Sequence, residues 1–304
     1  MRKYIIILSV VILAISCKKE TKKENEKLNV VTTTTMITDL VKNIGGEYVE
    51  LQGLMGSGVD PHLYKASEGD VSKLVNADVI FYNGLHLEGK LVEVFEKMGN
   101  QNKTQIALAE ALDKSSLIGS EYFASNYDPH VWFDINYFKT FTKEVTKVLS
   151  EKDPKNAINY AENEEQYLTK LDALQSKLGS VIETLPKEKR ILVTAHDAFN
   201  YFGKAFEFEV VGLQGLSTAT EAGVQDVQKL AAFIIEKNVK AIFVESSVPK
   251  RTIEALQAAV KSKDHEVAIG GTLYSDALGD TGTVEGTYVG MFEYNVNTIV
   301  EALK

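Results

Sequence analysis

Apolar runs and amphipathic stretches alternate along this chain, and the alternation predicts an α/β protein. Short runs rich in β-branched residues are typical of buried strands, and apolar residues at helical spacing are typical of the helices between them. The predicted strands of the first half lie at 30–34, 78–83 and 104–107, with helices at 37–44, 70–76 and 86–98. The second half has predicted strands at 190–195, 210–211, 240–245 and 266–269, with helices at 198–206, 224–237, 249–262 and 286–302. This order favours parallel sheets covered by helices on both faces.

A long helical pattern separates the two halves. Asp153-Pro154 provides an N-cap followed by proline at the first helical position. Leucine and isoleucine then recur at helical spacing until Pro186. The pattern predicts a helix of roughly 30 residues, about 45 Å long. Two shorter helices with a kink near Gly179 are the alternative. The predicted division is therefore an N-terminal α/β lobe at 28–150, a linker helix at 151–187 and a C-terminal α/β lobe at 188–304.

The first residues are typical of a secretory signal. A basic start is followed by a twelve-residue, mostly apolar run at 4–15, shorter than the roughly 20 residues that a membrane-spanning helix needs. The run ends Leu13-Ala-Ile-Ser-Cys17, which resembles a bacterial lipobox, although lipoboxes more often carry leucine where Ala14 stands. We predict a signal peptide at 1–16, lipidation of Cys17 and a charged tether at 17–27. An ordinary signal peptide with an incidental cysteine is the alternative. The body of the protein would then lie outside the cytoplasm, anchored to a bacterial membrane.

Composition and charge exclude several classes of function. The 304 residues are 44% hydrophobic and 25% charged, which is typical of a globular protein of two domains. The formal net charge of −9 argues against a nucleic-acid partner. Cys17 is the only cysteine, which excludes an intramolecular disulfide framework and a cysteine-based zinc ribbon. We expect a monomer.

A repeated tripeptide holds two of the five histidines. It occurs as Asp60-Pro61-His62 and as Asp128-Pro129-His130. Proline restricts its own backbone and extends the residue before it, which helps to orient a short loop. Carboxylates commonly accept the second N–H of a metal-bound histidine, so Asp60 and Asp128 are candidates for that supporting role.

Two further candidates follow strands in the second half. His196 comes at the end of the predicted strand 190–195, and Asp276 follows the strand at 266–269. Ligands bind beyond the carboxyl ends of parallel strands. The simplest geometry therefore places a metal ion between the lobes, with two ligands from each: His62 and His130 from the first, and His196 and Asp276 from the second. Three imidazoles and a carboxylate suit a divalent transition metal.

The remaining two histidines are not predicted to be metal ligands. His86 opens a predicted helix, and we assign it at most a supporting position behind the ligands. His265 lies between Asp264 and Glu266 and is expected to face solvent.

Several motifs together resemble one family, the cluster A-I substrate-binding lipoproteins of metal ABC transporters. They are Gly-Val-Asp-Pro-His-Leu-Tyr at 58–64, Phe-Tyr-Asn-Gly-Leu-His-Leu-Glu at 81–88, Asp-Pro-His-Val-Trp-Phe-Asp at 128–134, Thr-Ala-His-Asp-Ala-Phe at 194–199, Leu-Gln-Gly-Leu-Ser-Thr at 213–218, Phe-Val-Glu-Ser-Ser at 243–247 and Ser-Asp-Ala-Leu-Gly at 275–279. The resemblance runs from about residue 30 to the C-terminus. Many relatives carry a proline soon after the first Asp-Pro-His, and 65–70 has none.

The resemblance has specific implications. It implies two lobes, each with a mostly parallel four-stranded sheet, bridged by one long helix in the manner of the helical-backbone metal receptors. It implies the same metal ligands, His62, His130, His196 and Asp276. The expected cargo is Zn²⁺ or Mn²⁺, and the expected partners are a membrane permease and its cytoplasmic ATPase.

The choice of metal stays open between these two ions. The manganese branch of the family usually has glutamate where this chain has His196, and imidazoles suit zinc, so zinc is favoured slightly. Many zinc-specific relatives, however, carry a histidine-rich loop, and residues 110–127 contain no histidine. Iron is a weaker alternative.

A zinc hydrolase and a surface adhesin are the alternatives to metal transport. A zinc hydrolase keeps an open coordination position for water, which a fourth ligand at Asp276 would close. The chain has no His-Glu-x-x-His motif. A surface adhesin is a conceivable secondary role, but no sequence feature indicates an adhesive surface.

Overall fold

The computed structural model describes residues 27–99 and 103–304. The predicted signal peptide and the lipidation site at Cys17 lie outside the described residues. Within them, no helix has both the length and the hydrophobicity that a membrane span requires.

The first half has the elements β1 (Leu28–Thr32), α1 (Thr35–Gly45), β2 (Val49–Gly53), α2 (Glu68–Asn76), β3 (Val79–Tyr82), α3 (Val92–Gly99) and β4 (Thr104–Ala107). Its four strands form one parallel sheet in the order β2-β1-β3-β4. The strand pattern did not predict β2, because this edge strand alternates buried Val49 with exposed Glu50 and Gln52 and has no apolar run.

One predicted helix begins later than the sequence pattern indicates. The pattern placed a helix at 86–98, whereas α3 starts at Val92. Gly84, Leu85 and His86 all have positive φ angles, which a right-handed helix cannot accommodate. The segment before α3 is therefore a tight turn.

The second half also contains parallel strands, arranged as two hydrogen-bonded pairs. Its elements are β5 (Ile191–His196), α6 (Asn200–Phe206), β6 (Glu209–Gln214), α7 (Val224–Glu236), β7 (Ala241–Glu245), α8 (Arg251–Lys261), β8 (Ala268–Leu273) and α9 (Tyr288–Leu303). β5 pairs with β6, β7 pairs with β8, and β5 lies beside β7. The two pairs meet where β5 lies beside β7, and His196 is the last residue of β5.

Two long helices connect the halves. They are α4 (Ile135–Lys152) and α5 (Ala157–Ile182). A short 3₁₀ turn at Pro154–Asn156 precedes α5, so the linker helix is 26 residues, about 39 Å, rather than roughly 30 residues. It runs through Gly179 as a single helix.

The linker helix is packed along its length into the main core. Leu171, Leu174, Leu178 and Ile182 are buried on one face of α5, which packs against α1, α4 and α9. Because α1 and α4 precede the linker and α9 ends the chain, one apolar core joins both halves. This packing opposes wide separation of the halves.

Candidate metal centre

Four buried side chains converge between the two halves. They are His62, His130, His196 and Asp276, and one ligand atom from each lies within 4.8 Å of the others. His62 is 4% exposed, Asp276 is 1% exposed and the other two are fully buried. His196 ends β5, Asp276 follows β8, and the other two stand on loops beyond β2 and β4. The structure therefore brings together the four residues that the sequence selected, at the carboxyl ends of the strands.

The separations among these atoms match the geometry of a shared metal ion. Four atoms held about 2.0–2.1 Å from a tetrahedral zinc ion are about 3.3 Å apart. The His62 and His130 Nε2 atoms are 3.3 Å apart, and the His196 Nε2 atom is 3.2 Å from Asp276 Oδ2. Asp276 Oδ1 is 3.6 Å from His130 Nε2, and Asp276 Oδ2 is 3.8 Å from His62 Nε2. A divalent ion fits this set with small adjustments.

The carboxylate of Asp276 shows the same fit through its missing hydrogen bonds. Both of its oxygens are buried, and among the described residues neither makes a hydrogen bond of good geometry. They lie 3.2–3.8 Å from the ring nitrogens of the three histidines, where a shared cation would pair with them. Burial alone would raise the pKa of Asp276, but the imidazoles, His196 foremost, hold that pKa well below its usual range. The group is therefore an anion that faces three imidazoles.

The two Asp-Pro-His tripeptides share a local turn. In each, the aspartate Oδ1 accepts the backbone N–H of the histidine two residues later, at 2.8 Å for Asp60 and 2.9 Å for Asp128. This Asx turn, with the restricted proline between, sets the direction of each histidine.

Beyond that turn the two aspartates differ. Asp128 Oδ1 also lies 2.7 Å from Nδ1 of His130, and Asp128 Oδ2 accepts a hydrogen bond from Asn200 at 3.0 Å. Asp128 thus takes the supporting role predicted for it. Asp60 Oδ2 instead accepts the hydroxyl of Thr218 in the other half of the chain, at 2.5 Å. Asp60 orients the backbone of His62, not its ring as the sequence analysis expected.

His196 has a carboxylate partner that the sequence analysis did not assign. Glu245 Oε1 accepts the His196 backbone N–H at 2.9 Å, and Glu245 Oε2 lies 2.6 Å from His196 Nδ1. Glu245 ends β7, beside β5, and is buried. The sequence did contain a signal for Glu245, because a carboxylate ends an otherwise apolar strand. His196 was identified in the same way, as a polar residue at the end of an apolar strand.

The electrostatic environments of the histidines differ. Burial lowers the pKa of His62 to about 3. Burial would also lower the pKa of His196, but the carboxylates of Glu245 and Asp276 hold it well above its usual range. The His196 ring therefore keeps its proton to higher pH than an ordinary imidazole, and the His62 ring is neutral near neutral pH.

The segment that carries His130 is hydrogen-bonded to both halves of the chain. The segment that carries His130 belongs to the first half of the sequence, yet it is hydrogen-bonded to the second half. The Tyr201 hydroxyl donates to Asp128 O at 3.1 Å, Trp132 Nε1 donates to Ser275 O at 3.1 Å, and the Tyr288 hydroxyl donates to Trp132 O at 2.6 Å. Asn83 Nδ2 of the first half also donates to Pro129 O, at 2.9 Å. His130 is therefore held by contacts with both halves.

The other two histidines lie outside the ligand group. The side chain of His86 is exposed, and Phe123 packs edge-on against both the His86 ring and the His62 ring, with centroids 6.2 and 6.5 Å away. His86 therefore makes no supporting contact with a ligand. His265, expected to face solvent, is half-buried, and its Nε2 atom is enclosed.

Comparisons with known proteins agree with the geometry. The family model described as zinc-uptake complex component A, periplasmic, matches residues 30–302. The manganese-binding lipoprotein MntA of Bacillus subtilis is 48% identical over 93% of this chain and 92% of its own length. The zinc-binding protein TroA of Treponema pallidum is 50% identical over 90% of this chain and 88% of its own length. The solved structure of the periplasmic zinc-binding TroA covers 91% of this chain and 99% of that chain, with 49% identity and a TM-score of 0.89.

These matches cover both halves and the linker helix, and they confirm the predicted fold and the predicted resemblance. The chain belongs to the family of periplasmic zinc-uptake complex component A proteins, the substrate-binding proteins of metal ABC transporters.

Proposed function

We propose that this protein captures a Zn²⁺ or Mn²⁺ ion outside the cytoplasm and delivers it to an ABC permease driven by a cytoplasmic ATPase. The observation that carries the proposal is the buried convergence of His62, His130, His196 and Asp276 at metal-ligand separations. The names of the relatives support it, since MntA is named for manganese and TroA for zinc.

Ligand chemistry favours zinc over manganese in this site. Imidazole suits zinc, whereas manganese prefers sites rich in carboxylate and carbonyl oxygen. The set has three imidazole nitrogens and one carboxylate, and two of their separations, 3.3 and 3.2 Å, are close to the edge of a zinc tetrahedron. Asp276 presents both oxygens to the imidazoles, so it could also bind through two oxygens, as a larger ion would require.

The closed ligand set supports transport rather than hydrolysis. A catalytic zinc ion normally has three protein ligands and a coordination position for water. Here the fourth position is taken by Asp276, which is 1% exposed. A site of this kind holds an ion tightly and gives it up only when a ligand moves.

Anchoring follows from the N-terminal sequence. We propose that Cys17 becomes the lipidated N-terminus and that the charged segment after it lets the binding body reach the permease. Replacing Cys17 with alanine is expected to release the protein from the membrane fraction. Membrane association that survives this change would contradict lipidation.

Metal analysis of the native protein tests the main proposal. Protein purified without added metal should contain about one zinc or manganese ion per chain by plasma mass spectrometry and should show no hydrolytic activity with ester, peptide or phosphate substrates. His196→Ala should lose the ion, whereas the matched control His265→Ala should retain it. Wild-type protein that binds neither ion after chelator stripping and reloading would overturn the proposal.

A further inference from the structure

His62 stands on a loop that packs into a small apolar cluster. Residues 54–67 connect β2 with α2, and the buried Met55 packs with Val31, Leu74 and Ile80 in a cluster separate from the main core. The Tyr64 hydroxyl approaches both Leu54 O and Asp70 Oδ2, at 3.1 and 2.8 Å, and so ties the loop to α2. We call residues 54–67 the His62 loop.

Two side-chain hydrogen bonds connect the His62 loop to the C-terminal half. Asp60 accepts the hydroxyl of Thr218 at 2.5 Å, and the Ser57 hydroxyl donates to Asp280 at 2.6 Å. Ser57 is exposed, so water can replace its bond at little loss of free energy. Thr218 is 9% exposed, and Asp60 is half-buried. The hydrogen bond between Asp60 and Thr218 is therefore the stronger of the two connections.

One carboxylate transmits this connection to the ligand. Asp60 Oδ2 accepts from Thr218 while Asp60 Oδ1 accepts the backbone N–H of His62. Pro61 stands between Asp60 and His62 and restricts the backbone there. A displacement of Asp60 away from Thr218 would consequently displace His62 from the other three ligands.

We propose that Thr218 is a positioning residue for His62: its hydroxyl holds the His62 loop against the other three ligands and so lengthens the lifetime of the bound ion. The inference rests on the proposed function, because it concerns release from the same site. His130, His196 and Asp276 stay together, and release begins when the His62 loop leaves. Docking on a permease would accelerate release if it broke this one hydrogen bond.

Dissociation kinetics test the proposal. Zinc-loaded protein is mixed with an excess of a chromogenic chelator in a stopped-flow instrument, and the first-order release rate is recorded. Thr218→Val removes the hydroxyl and keeps the shape, and it should accelerate release about tenfold, because hydrogen bonds to charged groups are among the stronger ones. The association rate should change little. Thr218→Ser restores the hydroxyl and should restore slow release.

Controls separate this role from a general structural one. Thr220→Val changes an exposed threonine in the same loop and should release zinc at the wild-type rate. The melting temperature of each metal-free variant shows whether it folds, and Thr218→Ala serves as a second variant if Thr218→Val does not. Release by Thr218→Val at the wild-type rate, or equally fast release by Thr218→Val and Thr218→Ser, would overturn the proposal. Wild-type protein that binds no zinc would instead refute the proposed function.

Discussion

Glu245 contacts His196 through both carboxylate oxygens: Oε1 accepts the backbone N–H at 2.9 Å, and Oε2 lies 2.6 Å from the ring Nδ1. With Nδ1 turned to Glu245, the other ring nitrogen, Nε2, faces Asp276 at 3.2 Å. The carboxylate thus sets which ring nitrogen faces Asp276. It also joins β5 to β7 at the junction between the two strand pairs.

The first prediction concerns Glu245→Gln. The amide keeps the size of the side chain and removes its charge. The ring of His196 should then be less firmly oriented and less basic. Loss of such outer partners typically weakens metal binding 10–100-fold. Calorimetric titration with zinc should show a decrease in affinity of that size. The exposed Glu254→Gln on α8 is the control, and equal affinities for the two variants would contradict the role of Glu245.

The second prediction concerns protons released on binding. The carboxylates of Glu245 and Asp276 outweigh burial and hold the pKa of His196 well above its usual range, so this ring is protonated in the metal-free protein at pH 7. A ligand imidazole must be neutral, and the ion therefore displaces about one proton. Since the free form binds more protons than the complex, apparent affinity rises with pH, by up to about tenfold per pH unit, until the pH exceeds the raised pKa.

The measurement is calorimetry at pH 7 in buffers with different ionisation enthalpies. An ordinary imidazole with a pKa near 6.5 would release little at this pH, so a full proton identifies His196 in its carboxylate environment. His62 contributes none, because burial lowers its pKa to about 3 and it is already neutral. Glu245→Gln should reduce the number of protons released at pH 7. Binding without proton release at pH 7 would contradict the electrostatic description of the site.

The third prediction concerns Tyr201, whose hydroxyl connects two backbone groups of the first half. It accepts from Ile118 N at 3.1 Å and donates to Asp128 O at 3.1 Å, and the side chain is fully buried. Tyr201→Phe leaves these backbone groups without that partner, which should lower the free energy of unfolding by about 1–3 kcal/mol. Urea denaturation measures the change. Tyr122→Phe, at a tyrosine that is 99% exposed, should leave stability unchanged.

The sequence selected the four residues that the structure brings together because each carries a local signal. His196 and Asp276 follow apolar strands, and the other two histidines stand in a repeated tripeptide. Since the carboxyl ends of parallel strands lie on one side of a sheet, a strand assignment was enough to bring these residues together. The exact partner of each aspartate could not be read in the same way. Asp60 and Asp128 are both followed by proline and histidine, but their second oxygens meet Thr218 and Asn200, which are distant in sequence.

The surroundings of His130 could not be predicted for a related reason. Position in the chain placed His130 with the first half, whereas its segment also accepts hydrogen bonds from Tyr201 and Tyr288 of the second half. Sequence periodicity predicts which residues are buried but does not reveal which body they are buried against. The edge strand β2 and the late start of α3 were missed because half-exposed strands and positive φ angles leave little apolar pattern.

The last prediction compares the loss of two imidazoles from the same site. His62→Ala should leave His130, His196 and Asp276 in place. Water can then complete the coordination of a weakly bound ion. His130→Ala should do more damage, because it removes a ligand and also leaves the buried carboxylate of Asp128 without its ring partner. Zinc affinity by calorimetry should therefore fall further for His130→Ala, and the metal-free melting temperature should fall only for that variant. Equal losses of affinity and stability in the two variants would show that His62 belongs to the same rigid body as the other ligands.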